Sequence, residues 1–314
     1  MRSRLALTPE TYRRITIAAA ILLAIIIVTG GAVRLSGSGL GCSDWPTCEP
    51  GQLTPRHSSD VHAMIEFLNR LFTGLVSFAV IVCVLGSLVR TPRRRDLVWL
   101  SVGLVIGVFA QAVLGGLTVL FELRPELVTA HFLVSLALLA NALVLVRRAG
   151  HSDAPARPVL LPSVRWVGPA LLVAVSVVVV TGTVVTSTGP HGGDAKAKRF
   201  EFFLPDVARV HGISVVIFLL LVLLTLWLIR RTYAPVVVQR RLGLVLVAAV
   251  VQGAIGYIQY FNGIPELLVG FHIAGATAVW SAVVCFYLSL FSRIAPITGA
   301  VEMPATASSQ AAGR

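Results

Sequence analysis

Apolar residues in this chain do not alternate with polar ones. They gather in eight long stretches, at residues 15–33, 65–89, 97–120, 127–146, 167–186, 207–229, 242–260 and 267–290, separated by polar or basic connections. Each stretch has the ~20 residues that carry a helix, at about 1.5 Å per residue, across roughly 30 Å of hydrocarbon. A soluble domain of this size would keep a polar face on its helices. A chain crossing lipid must satisfy its own backbone hydrogen bonds, which leaves helices or a closed barrel, and the short alternating strands of a barrel are missing from the pattern. The prediction is an all-α integral membrane protein of eight transmembrane helices.

Charge orients these helices. The formal net charge is +12, and its position matters more than its size. Arg2, Arg4, Arg13 and Arg14 precede the first stretch, and Arg90, Arg93, Arg94 and Arg95 follow the second. Arg147, Arg148, Arg157 and Arg165 lie between the fourth and fifth, and Arg230, Arg231, Arg240 and Arg241 between the sixth and seventh. Arginine thus marks every second connection, the positive-inside pattern of a multi-pass protein of the cell membrane with both termini cytoplasmic. This reading excludes nucleic acid as a partner. The first stretch is too long for a cleaved signal and is taken as a retained span. The polar tail 294–314 is expected to be disordered.

The chain also resembles itself. Gln111-Ala-Val-Leu-Gly-Gly116 is similar to Gln252-Gly-Ala-Ile-Gly-Tyr257, and a histidine follows each glutamine by 20 residues: His131 and His272. A spacing of 141 residues relates both members of the pair. Asn69-Arg70 stands near the place of His211-Gly212, and Thr29-Gly30 and Thr181-Gly182 mark the outer ends of the first and fifth stretches. Four spans per half give both halves one orientation, so two parallel-repeat four-helix bundles are expected. The divisions are residues 1–150, 151–293 and the tail 294–314.

His131, His211 and His272 each fall near the start of an even-numbered helix, at similar depth in the outer half of the bilayer, where ionisable groups are costly and usually functional. A helix N-terminus disfavours the imidazolium and keeps a ring nitrogen free for metal. Two imidazoles from different helices suit the axial positions of a haem iron, and zinc would normally add cysteine or carboxylate ligands at short spacing. His211 and His272 read as a bis-histidine haem pair. The other half offers Asn69 and His131, with Glu66 on the same helix face as Asn69. A buried carboxylate there has either a proton-moving or charge-stabilising task, or an ion pair with Arg70 four residues on.

These residues resemble the haem A synthase family, from about Gly30 to Trp280. The stretch Gly30-Gly-Ala-Val-Arg-Leu-Ser-Gly-Ser-Gly-Leu-Gly-Cys-Ser-Asp-Trp-Pro-Thr-Cys48 is similar to the family's most recognisable segment, and Ile65-Glu-Phe-Leu-Asn-Arg70 to its Glu-x-x-His-Arg motif. The resemblance implies oxidation of a methyl group of haem O to the formyl group of haem A, for use by cytochrome oxidase. It implies haem b as cofactor on His211 and His272, a substrate site at Asn69 and His131, and a catalytic role for Glu66. Implied partners are haem O, the haem O-forming farnesyltransferase, cytochrome oxidase assembly factors and an electron donor or acceptor of unstated identity; an oligomer is compatible.

Two departures from the family pattern matter. Asn69 stands where the motif has histidine, and an amide is a poor iron ligand. His131 is then the one protein ligand expected for the substrate, unless His62 or His57 substitutes. Cys42 and Cys48 share an outer, oxidising loop and are expected to form a disulfide, but the corresponding loop of the second half, Gly189-Pro-His-Gly-Gly-Asp194, has no cysteine. Cys83 and Cys285 read as packing residues. Lys196, Lys198 and Arg199 are candidates for haem propionates or simply a solvated loop. An electron-transfer cytochrome b without chemistry on its haem, and a membrane transporter, are the rival readings.

Overall fold

A computed structural model describes residues 6–293; Arg2, Arg4 and the tail expected to be disordered lie outside the described residues. Eight long helices follow one another: α1 (Pro9–Leu35), α2 (Val61–Val89), α3 (Arg95–Leu120), α4 (Pro125–Ala149), α5 (Val167–Thr188), α6 (Leu204–Arg231), α7 (Val236–Phe261) and α8 (Glu266–Ser289). All eight regions are long and apolar enough to cross a membrane. The chain is a multi-pass membrane protein.

The helix ends extend past the apolar stretches because the helices carry arginines into the interface. α7 starts six residues before the apolar stretch and includes Arg240 and Arg241; α6 runs through Arg230 and Arg231. Long cationic side chains can lay their stems along apolar surface and keep the charge in water, so arginine does not end a membrane helix. Local signals fix the starts. The Thr8 hydroxyl and the Asp60 carboxylate accept the N–H groups of Thr11 and Ala63, and α4 and α6 open with Pro125 and Pro205, whose fixed φ suits the first turn.

Two packed cores result. One joins α1 to α4 around Tyr12, Leu23, Leu97, Leu104, Leu136 and Leu145. The other joins α5 to α8 around Val167, Leu171, Phe218, Val222, Leu242 and Phe286. Trp280 of α8 packs against both and donates its indole N–H to the Leu136 carbonyl at 2.9 Å. Large side chains such as Phe78, Trp99, Phe109, Val173 and Val247 point outward, as a lipid-facing surface requires.

The arginine-rich ends are not all free charge. Arg94 and Arg148 close on Asp96, each at 2.6 Å, and Arg94 also donates to the Arg148 and His151 carbonyls. This cluster ties the α2–α3 connection to the end of α4. A two-residue antiparallel ribbon, β1 (Arg157–Pro158) with β2 (Phe291–Ser292), fastens the linker between the halves to the end of α8. Replacing Asp96 by Asn leaves two arginines facing each other. The expected loss of stability is on the order of 2 kcal/mol, below that of a fully buried pair because Asp96 is 26% exposed. Thermal unfolding of the detergent-solubilised variant checks this; an unchanged melting temperature would show that the cluster is incidental.

Candidate functional site

The three histidines sit in the second turn of their helices, six or seven residues after the first: His131 in α4, His211 in α6 and His272 in α8. His211 and His272 face each other, with ring centroids 6.5 Å apart and planes at 79°. Two metal–nitrogen bonds of about 2 Å each, plus the two ring radii, span roughly that distance. The pair therefore fits a single metal held between imidazoles from two helices.

The Thr181 hydroxyl oxygen lies 3.1 Å from His211 Nδ1. Its one proton has three other acceptors, the Val177 and Val178 carbonyls at 2.9 and 3.0 Å and the Ser214 hydroxyl at 3.0 Å, so the arrangement favours donation from Nδ1 to Thr181. With Nδ1 protonated, the Nε2 lone pair is free for a metal. Gly182, next to Thr181, makes room for the ring: a Cβ there would stand 3.1 Å from His211 Cε1.

His272 is held from α7. Gln252 Nε2 donates to its backbone carbonyl at 2.7 Å, and one turn further on a Cβ at Gly256 would come within 2.8 Å of its Cε1. The same arrangement recurs between α3 and α4. Gln111 Nε2 donates to the His131 carbonyl at 2.9 Å and to the Ser135 hydroxyl, and a Cβ at Gly115 would meet His131 Cε1 at 3.3 Å. The turns that set this register also match. Leu123 and Ile264 both adopt left-handed backbone, with φ of 56° and 58°, and donate their N–H to Thr118 and Gln259. Ile264 is a β-branched residue in a strained conformation, and His191 Nε2 steadies it by donating to its carbonyl at 2.7 Å.

Asn69 takes part in a contact like that of His211. Its Oδ1 lies 2.9 Å from the Thr29 hydroxyl, across α1 and α2 as Thr181 and His211 meet across α5 and α6. Gly30 has nothing within 4 Å of where a Cβ would stand, whereas Gly182 is crowded by its imidazole. Of the two histidines that might replace Asn69, His62 has its Nδ1 2.9 Å from the Ser38 hydroxyl, and His57 lies in the loop ahead of α2.

Glu66 is buried and engaged on both oxygens. Oε1 accepts Arg70 Nε at 3.1 Å and Nη2 at 2.5 Å, and Oε2 accepts the Cys42 N–H at 2.8 Å. The ion pair allowed by the four-residue spacing is thus formed, with a loop contact added. Arg70 further donates to the carbonyls of Asp44 and Thr47 at 3.0 and 2.8 Å. Cys42 and Cys48 close a disulfide around this segment. Asp44 accepts the Thr47 hydroxyl and the Trp45 N–H, which hold its carboxyl below the ordinary aspartate range. Trp45 lies flat on α3 at Gly116, where a Cβ would come within 2.5 Å of the indole. The connection between α1 and α2 is thereby folded onto the helices that carry Glu66, Asn69 and Gln111.

The third outer loop is tied to the same region. Arg34 donates to the Thr186 and His191 carbonyls, and the Gly39 N–H to the Gly193 carbonyl. The structure gives Lys196, Lys198 and Arg199 no ion pair among the described residues. Cys83 is buried and Cys285 half-buried, both as free thiols. No group of three or more His, Cys, Asp or Glu side chains converges among the described residues.

Arg34, Ser38 and Trp45 were not singled out from the sequence.

Residues 13–190 match the family model COX15-CtaA, described as cytochrome oxidase assembly protein. Two relatives from Listeria welshimeri and Listeria monocytogenes, each named heme A synthase, are 25% identical over 289 and 291 residues, covering 87% of this chain and 93% of their own lengths. A protein of that name from Exiguobacterium sibiricum is 31% identical over 170 residues, 52% of this chain and 56% of that protein. By the match over residues 13–190, this chain belongs to the COX15-CtaA family of cytochrome oxidase assembly proteins.

Proposed function

We propose that this chain is a haem A synthase, a membrane oxidoreductase that converts a methyl group of haem O to the formyl group of haem A. The observation that carries the reading is the facing pair His211 and His272, 6.5 Å apart at the outer end of the second half. The glutamine–histidine pairs in both halves and the names of the full-length relatives support it. We place it in the cell membrane with both termini cytoplasmic, since Arg90, Arg94, Arg147 and Arg148 mark the end opposite the histidines.

The two halves divide the work. A haem b on His211 and His272 supplies one-electron chemistry when bound. Thr181 fixes the His211 tautomer, and Gln252 fixes the backbone that carries His272. In the first half His131 holds the iron of the substrate, haem O, with Gln111 in the role of Gln252. Asn69, the counterpart of His211, would offer that haem an amide, which is a poor iron ligand. Glu66 acts there through its charge. It neutralises Arg70 and holds the Cys42–Cys48 loop in place. Haem O arrives from the farnesyltransferase that makes it, haem A leaves to cytochrome oxidase assembly, and an electron carrier meets the haem b half.

Extraction and mass analysis of haems, after production together with a haem O-forming enzyme, tests the function. Haem B accompanied by haem A or an oxidised haem O is expected; haem B alone would favour an electron-transfer cytochrome. Substitution of His211 or His272 by Ala should remove most of the haem B, and Gly256→Ala should lower it by displacing the His272 ring. Retention of full haem B in both histidine variants would overturn the assignment. Glu66→Gln keeps the size and a hydrogen-bonding oxygen but removes the charge. It should retain haem B while product formation falls by roughly 100-fold or more, the scale of one electrostatic group at a reacting centre; a fully active variant would take Glu66 out of the mechanism.

A further inference from the structure

Thr29 and Thr181 occupy matching places on α1 and α5, each touching the residue that faces the metal site from the next helix. The direction of the hydrogen bond differs between them. Thr181 spends its proton on the carbonyls of Val177 and Val178, so it accepts from His211. Thr29 has only the Ile26 carbonyl in its own helix, at 3.3 Å, against 2.9 Å to Asn69 Oδ1. Its proton goes to the shorter contact, and the Asn69 oxygen is the acceptor.

An amide held by its oxygen turns its nitrogen the other way. Asn69 Nδ2 makes no hydrogen bond to another described residue. Where His211 offers a lone pair, Asn69 offers two N–H donors. The amide is also shorter than an imidazole, and the open surroundings of Gly30 contrast with the crowded Gly182. His211, the counterpart of Asn69, faces His272, and Gln111 holds His131 as Gln252 holds His272, so the repeat matches Asn69 with His131.

We infer that Asn69, oriented by Thr29, is a hydrogen-bond donor to a small exogenous ligand in the sixth coordination position of the substrate iron, opposite His131. This rests on the haem A synthase reading. The first-half haem is then five-coordinate on the protein side. The ligand class it takes is a compact acceptor, such as hydroxide or a halide, that can receive an N–H from the amide. Asn69 is in this sense a ligand-selecting residue and not an iron ligand.

Fluoride is a suitable probe, because it binds ferric haem only at an open axial position and accepts hydrogen bonds strongly. The oxidised full-length protein, loaded by co-production with a haem O-forming enzyme, would be titrated with fluoride and followed by optical and electron paramagnetic resonance spectra. The wild type should show one low-spin haem that ignores fluoride and one high-spin haem that binds it. Asn69→Leu should keep the high-spin haem but weaken fluoride binding by roughly ten- to 100-fold, the loss expected for one hydrogen bond to a charged acceptor. Thr29→Val should weaken it in the same direction by freeing the amide to turn. Asn69→His should convert the second haem to low spin and abolish fluoride binding. A low-spin second haem in the wild type, or unchanged fluoride affinity in both Asn69→Leu and Thr29→Val, overturns the donor role while leaving the enzyme assignment standing. A wild-type protein with no second haem overturns the assignment itself, and the two failures are told apart by haem content alone.

Discussion

A polar ring near the end of a membrane helix must find room among apolar neighbours, and the adjacent helix supplies it. That requirement organises the histidine end of this protein. Each histidine of the site lies in a notch left by a glycine on the preceding helix: Gly115 for His131, Gly182 for His211 and Gly256 for His272. A polar residue on the same helix adds a hydrogen bond: Thr181 to the ring of His211, and Gln111 and Gln252 to the backbone carbonyls of His131 and His272. Glycine and partner work only if the two helices keep their register. A slip of one residue turns a side chain by about 100° and loses both. The tight turns at Leu123 and Ile264 hold that register, which explains why strained backbone is retained in connections only a few residues long.

The halves share this device and use it to different ends. In the second half the notch positions a pair of imidazoles against each other, and no disulfide loop covers them. Tyr257 stands where the first half has Gly116, and its side chain points outward, 69% exposed. In the first half Gly116 instead receives Trp45, carried by the loop that Cys42–Cys48 closes and Arg70 fastens. The second half thus brings two imidazoles face to face, and the first sets a single histidine near a folded loop.

The helices were legible because lipid imposes a crude rule that sequence obeys. Their ends were not, since Arg240 and Arg241 read as a break in hydropathy and are in fact helical. The glutamine–histidine pairs were visible as a spacing, although nothing in the spacing says that the amide binds the histidine's carbonyl and not its ring. The disulfide followed from its outer location. What escaped was the set of contacts between distant segments: Arg34 with the third outer loop, Trp45 on Gly116, Ser38 with His62. None has a local signature, because each depends on how two loops cross above the bundle.

Glu66 shows how a four-residue spacing can be read correctly and still incompletely. The ion pair with Arg70 and a role at the site are not alternatives here. Arg70 is a half-buried cation that makes four hydrogen bonds to three acceptors, the Glu66 carboxylate and the carbonyls of Asp44 and Thr47. Two of those acceptors belong to the disulfide loop, and the third, Glu66, also holds that loop through the Cys42 N–H. Removing the carboxylate therefore leaves an uncompensated cation and a loosened loop. Truncation to alanine loses the contacts to Arg70 and to Cys42 together. An amide at the same position keeps one oxygen, which serves either Arg70 or the Cys42 N–H, and turns its NH2 group toward the other donor. Both variants therefore loosen the bracing, and the difference between them measures one retained hydrogen bond.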